Sequence, residues 1–219
     1  MKQSIYSPAL FRLIICALCL PLFPAFLFAG EGPCTYSTYK WNVNSREAVD
    51  FKRVSHAYMD LTEEEIDPET GCTVCEEDQV IIDIPPVKPF RVCKKLAPAI
   101  TEALYGMMES GEPVFKVVGY RVGKTRGEPD SNGNRTGFSN HSFGVAIDIN
   151  PDQNGLYDKC IDFGEHCRLI KGGPWLPGRP GTLMPESEAV RLMKRAGFKW
   201  GGEIAGRQKD FMHFSISGY

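Results

Sequence analysis

The sequence predicts a fold class that combines helices and strands in one domain, and two observations carry that reading. Short stretches near 145–150 and 212–217 alternate apolar and polar residues with period two. Two longer stretches, 94–111 and 184–198, repeat their apolar residues at helical spacing. At 219 residues the chain is long enough for one domain with a real hydrophobic core. A formal net charge of -2 and the lack of any basic run give no footprint for nucleic acid.

The first element is not part of that domain. Lys2 and Arg12 precede an uncharged apolar run, Leu13 to Ala29, which ends in the small residues Ala29 and Gly30. Residues 1–29 read as a secretory signal cut after Ala29. A membrane anchor is the rival reading. Pro21 and Pro24 interrupt the run, which is also short for a bilayer crossing, so no stable membrane insertion is expected after cleavage. The cysteines agree with export to a periplasmic or extracellular space. Cys16 and Cys19 leave with the signal, and Cys34, Cys72, Cys75, Cys93, Cys160 and Cys167 remain, an even set suited to disulfides. Cys160 and Cys167 should close a small loop, while the other four leave three connectivities open. Zinc or redox work at Cys72-x-x-Cys75 is the alternative, but neither a second such pair nor a close histidine accompanies it.

Residues 30–92 show no dominant period and are expected to form an N-terminal extension stapled to the domain through Cys93. The domain itself is expected over 93–219. In its first helix Leu96, Ile100, Leu104, Met107 and Met108 make the packing side, and Gly111 ends it. Pro113 to Arg121 reads as a buried strand. The Gly, Asn and Asp content of 122–137 reads as a loop. After the strand at 145–150, residues 151–182 read as a long loop-like insertion tied by Cys160 and Cys167. The second helix has Pro185 near its start, Glu186 and Glu188 in its first turn, an apolar side of Ala189, Val190, Leu192, Met193 and Ala196, and Gly197 at its end.

Within "SNHSFGVAIDIN", Val145, Ile147 and Ile149 form one face and Asp148 lies on the other. A carboxylate on an inner face needs a partner, and a metal is one way to supply it. His141 at the strand's entry can fold back beside Asp148, with Gly144 permitting the approach and Ala146 leaving the space open. In "DFMHFSIS", Met212, Phe214 and Ile216 alternate with His213, so His213 also faces away from the core. Two imidazoles and a carboxylate make a three-ligand set with an open fourth position for water. Asp210, three residues before His213, is placed as general base and then acid. The His-Glu-x-x-His helix of many metalloproteases is absent. His56 and His166 lack such a setting.

The pattern Ser139, His141, Gly144, Ala146 and Asp148, followed by Asp210 and His213, resembles the zinc D-alanyl-D-alanine carboxypeptidase family, which includes VanY-type carboxypeptidases, VanX-type dipeptidases and L-alanyl-D-glutamate endopeptidases. Trp200-Gly201-Gly202 resembles the endopeptidase-like branch. The likeness runs from about Val114 to the C-terminus. It implies an α+β fold, a small antiparallel sheet flanked by helices, with a Zn²⁺ site in a cleft on the sheet. It also implies His141, Asp148 and His213 as ligands and Asp210 as catalytic acid/base. Arg121 or Arg126 would hold the oxyanion or substrate, with Ser139 facing the substrate. Glu203 and Ile204 depart from the family's usual Asp and aromatic after Trp-Gly-Gly, which points Glu203 to a supporting or loop role. The implied activity is an exported metallopeptidase acting on peptidoglycan stem peptides, as a D-Ala-D-Ala carboxypeptidase or an endopeptidase. The alternatives are an inactive metal-binding protein of cell-wall-binding or signalling type on the same fold, or a peptidase of another secreted peptide.

Overall fold

The computed structural model describes residues 32–218, so the export-signal reading of 1–29 lies outside the described residues. The chain opens with a hairpin, β1 (Pro33–Asn42) against β2 (Glu47–Ala57). Asn42 closes its turn, the side-chain oxygen accepting from the N–H groups of Asn44 (2.9 Å) and Ser45 (3.0 Å). Next come β3 (Gln79–Ile82) and β4 (Phe90–Cys93), an antiparallel pair, and then α1 (Ala97–Glu109). The disulfides Cys34–Cys75 and Cys72–Cys93 knit this region together and tie it to the start of α1.

Beyond α1 lie β5 (Val117–Val118), β6 (Lys124–Pro129), β7 (Arg135–Phe138), β8 (Ala146–Ile149), β9 (Leu156–Asp158) and β10 (Arg168–Lys171). The chain finishes with α2 (Glu188–Arg195), β11 (Lys199–Trp200), β12 (Gln208–Asp210) and β13 (His213–Ser215). The central sheet runs β11–β13–β8–β5 and is antiparallel throughout. The other sheets are β10–β9–β12, β2–β1–β6–β7 and the pair β3–β4. The class is therefore α+β, built of small sheets with two α-helices among the described residues.

Two cores hold these layers. In the larger, Ile100, Leu104 and Met107 of α1 and Val190 and Met193 of α2 meet Ile147, Ile149 and Phe214 of the central sheet. Both helices follow the apolar spacing of the sequence. Ser187 caps α2, its hydroxyl accepting from Val190 N–H, so Glu186 falls outside the helix while Glu188 stays in the first turn. The smaller core joins Tyr36, Val74 and the two N-terminal disulfides to Val122, Phe143 and Val145. The N-terminal region thus supplies packing beneath the segment that carries His141.

Three local expectations are corrected. Residues 122–137 are not a loop but the β6–β7 hairpin. Asn132 and Gly133 fall in its turn, where Asp130 accepts from the N–H groups of Asn132 and Asn134 at 2.9 Å each, while Gly127 and Gly137 lie within the strands themselves. Pro113 to Arg121 is not one buried strand. Only Val117–Val118 pairs with β8, and Phe115 is exposed, because the Asn150 side chain occupies the N–H groups of Phe115 and Lys116 in place of a strand ladder. The insertion 151–182 contains β9 and β10, with Cys160–Cys167 closing the connection between them.

Candidate metal centre

Three separate elements deliver the candidate ligands. Ser139 leads into a single 3-10 turn, Asn140–Phe143, that holds His141. Gly144 ends the turn in the left-handed region, φ 67°. A Cβ there would lie 2.4 Å from the backbone nitrogen of Cys93, whose N–H donates to Gly144 O (3.0 Å), so only glycine lets the disulfide-tied segment approach this closely. Asp148 comes from β8 and His213 from β13, and the two are direct partners in the antiparallel register. Cross-strand partners project to the same side of a sheet, which brings the carboxylate and the imidazole together.

His141, Asp148 and His213 each offer one ligand atom, and these atoms all lie within 4.8 Å of one another. Asp148 Oδ1 is 3.0 Å from His141 Nε2 and 3.1 Å from His213 Nδ1. The Arg121 guanidinium donates to the other oxygen, Oδ2, at 3.2 Å. The three residues are 3%, 4% and 6% exposed, so their charges are met by protein and not by water. Burial pushes the Asp148 carboxyl up, but the charges of and hydrogen bonds from His141 and His213 outweigh it and hold the group well below the usual carboxylate range.

His141 Nδ1 lies 2.9 Å from the carbonyl oxygen of Gly119 and must donate to it. A neutral ring then turns a lone pair from Nε2 toward Asp148 Oδ1. Two lone pairs 3.0 Å apart repel, so either a proton or a metal cation belongs at this point. A backbone carbonyl fixing one ring nitrogen while the other faces a carboxylate is the arrangement of a metal-ligating histidine. The donor set therefore fits a borderline divalent cation such as zinc.

The other singled-out residues lie around this cluster. Asp210 ends β12 and is buried; the two-residue turn Phe211–Met212 separates it from His213. Arg121 sits on the cluster through Asp148. Arg126 instead donates to Asn140 Oδ1 (2.6 Å), beside His141. Ser139 is buried, its hydroxyl 3.2 Å from that of Ser142. His56 binds Glu65 in the N-terminal region, away from the cluster.

Residues 132–216 match a family model described as D-alanyl-D-alanine carboxypeptidase. The similarity is confined to this segment of the chain. No curated protein and no solved structure matches the chain. The carboxypeptidase-like segment starts in the β6–β7 turn and ends just past β13, so it contains His141, Asp148, Asp210 and His213 but neither arginine. It is shorter than the likeness expected from Val114 onward.

Within the carboxypeptidase-like segment the Trp-Gly-Gly sequence acts as a brace. Trp200 Nε1 donates to Phe211 O (2.8 Å), inside the turn between Asp210 and His213. A Cβ on Gly201 would lie 2.3 Å from Asp210 O, so glycine allows the brace to close on β12. Glu203 points elsewhere and pairs with Lys194 at 2.6 Å. Sequence reasoning missed the Gly119 carbonyl and Asn140, whose amide also donates to Gly218 O at 2.6 Å. Asn140 adjoins a marked histidine and was findable; a backbone carbonyl leaves no residue-type signal.

Proposed function

We propose that this protein is an exported zinc metallopeptidase that hydrolyses amide bonds in peptidoglycan stem peptides, as a D-Ala-D-Ala carboxypeptidase or an L-alanyl-D-glutamate-type endopeptidase. The observation that carries the reading is the convergence of two imidazoles and a carboxylate within 4.8 Å inside the segment that matches the carboxypeptidase family. Three disulfides among the described residues and the signal-like start of the sequence support export.

In this reading His141, Asp148 and His213 hold the metal, which when bound supplies Lewis-acid polarisation of the scissile carbonyl and of water. Asp210 accepts the proton of the attacking water and returns it to the leaving amine. Arg121 is the arginine assigned to the developing oxyanion, because its guanidinium already rests on Asp148. Arg126, through Asn140, steadies the turn that carries His141. Ser139 borders the substrate side at the entry to the same turn. Asp210 separates this reading from a binding protein with a degenerate site, where a general base has no task.

The test is digestion of purified peptidoglycan by the zinc-loaded protein, with mass spectrometry of the muropeptides. Loss of a single alanine marks a carboxypeptidase, and scission within the stem marks an endopeptidase. An unchanged muropeptide profile would overturn the proposal.

A further inference from the structure

A side chain from the disulfide-tied hairpin shares a sheet face with Asp210. Lys171, the last residue of β10, pairs with Leu156 of β9, and Leu156 pairs on its other side with Asp210 of β12. Lys171, Leu156 and Asp210 therefore form one row across the sheet and project from one face. The register shifts between Leu169 and Lys171, a bulge of the kind that re-aims a side chain. Immediately after Lys171 the chain is anchored to the exit of β8, where Gly173 N–H donates to Pro151 O at 2.9 Å.

The result is an ammonium group on the sheet face that carries Asp210, near enough to feel the charges of Arg121, Asp148 and Asp210. Burial by surrounding protein pushes its pKa down and the charge of Arg121 adds to that, while Asp148 and Asp210 pull it up. The residue as a whole remains exposed, so a ligand can reach it. Lys171 and Arg121 balance the two carboxylates, and a divalent metal then leaves the centre positive. An anionic ligand group is what such a site favours.

We infer that Lys171 determines specificity by binding a carboxylate of the substrate peptide, an assignment that rests on the metallopeptidase reading above. The carboxylate is either the peptide's C-terminus or an internal one. Binding by calorimetry and kcat and KM are compared for wild type, Lys171→Met and Lys171→Arg, all zinc-loaded. The probes are an N-acetylated peptide ending in D-Ala-D-Ala, its C-terminal amide, and an amidated peptide carrying the free α-carboxylate of a γ-linked D-Glu.

Lys171→Met should weaken binding of one carboxylate peptide about 10- to 100-fold, the effect of losing a charge-assisted hydrogen bond. The loss should fall on KM more than kcat, and Lys171→Arg should recover most of it. The peptide affected identifies the carboxylate. Lys171→Gln serves if the Met variant does not fold. Equal affinities in wild type and a folded variant with unchanged zinc content would overturn the assignment. Lys171-dependent binding without turnover of any peptide would uphold it and sink the peptidase reading; turnover indifferent to Lys171 would do the reverse.

Discussion

Asp148 Oδ1 faces two imidazole nitrogens at 3.0 and 3.1 Å, and its other oxygen faces Arg121. On the function proposed, that arrangement divides labour among the acids: Asp148 holds charge, and Asp210 is the group assigned to proton transfer. Asp210→Asn should therefore lower kcat about 10²- to 10⁴-fold while the zinc content stays at the wild-type level. Steady-state kinetics with metal analysis checks this, and an unchanged kcat would remove Asp210 from the mechanism. The convergence of His213 and Asp148 was legible in sequence because strand parity sets both off the apolar face. The choice between Arg121 and Arg126 was not. A guanidinium ends a long flexible chain, and no spacing rule states where it lands.

At the level of elements, the N-terminal region acts on the centre through packing. Cys93, bonded to Cys72, donates its N–H to Gly144 O, and the same core contains Phe143 and Val145. Removing this bridge with Cys72→Ala and Cys93→Ala should cost about 2–4 kcal/mol and weaken zinc binding as well. The Cys160–Cys167 bridge spans a separation of 7 residues against 21, so its removal should cost less and leave zinc binding nearly intact. Denaturant midpoints and zinc titrations of both double variants test the contrast, which fails if zinc binding falls equally in the two. The helices were readable because each buries one continuous stripe. The β1–β2 hairpin escaped notice since most of β2 is exposed or half-exposed, leaving no apolar face to register. β6 and β7 were hidden by glycines and polar residues that suit an outer sheet as well as a loop.

Across the whole molecule, acid sensitivity should arise in the smaller core. Glu65 is buried and accepts from Tyr36 Oη (2.6 Å), His56 Nε2 (2.9 Å) and both the N–H and hydroxyl of Thr62. Burial pushes its carboxyl up, but these hydrogen bonds prevail and bring it from 4.5 to about 2. A folded-state value below the unfolded one means that Glu65 stabilises the fold above pH about 4.5 and loses that contribution as pH falls toward about 2, a change of about 3 kcal/mol. Urea unfolding of metal-free protein across this range should show the decline, and Glu65→Gln should flatten it. A variant as acid-sensitive as wild type would assign the effect to other groups.

The fold brings His213 onto a carboxylate 65 positions away in the sequence, and the function proposed stands on what that convergence binds. The most direct measurement is the zinc stoichiometry of the protein and of its His213→Ala variant, by elemental analysis after loading and dialysis. One zinc ion per wild-type chain, lost in the variant together with hydrolysis of peptidoglycan, is the predicted result. A wild-type protein that retains no zinc, or a variant that retains it fully, would contradict the account.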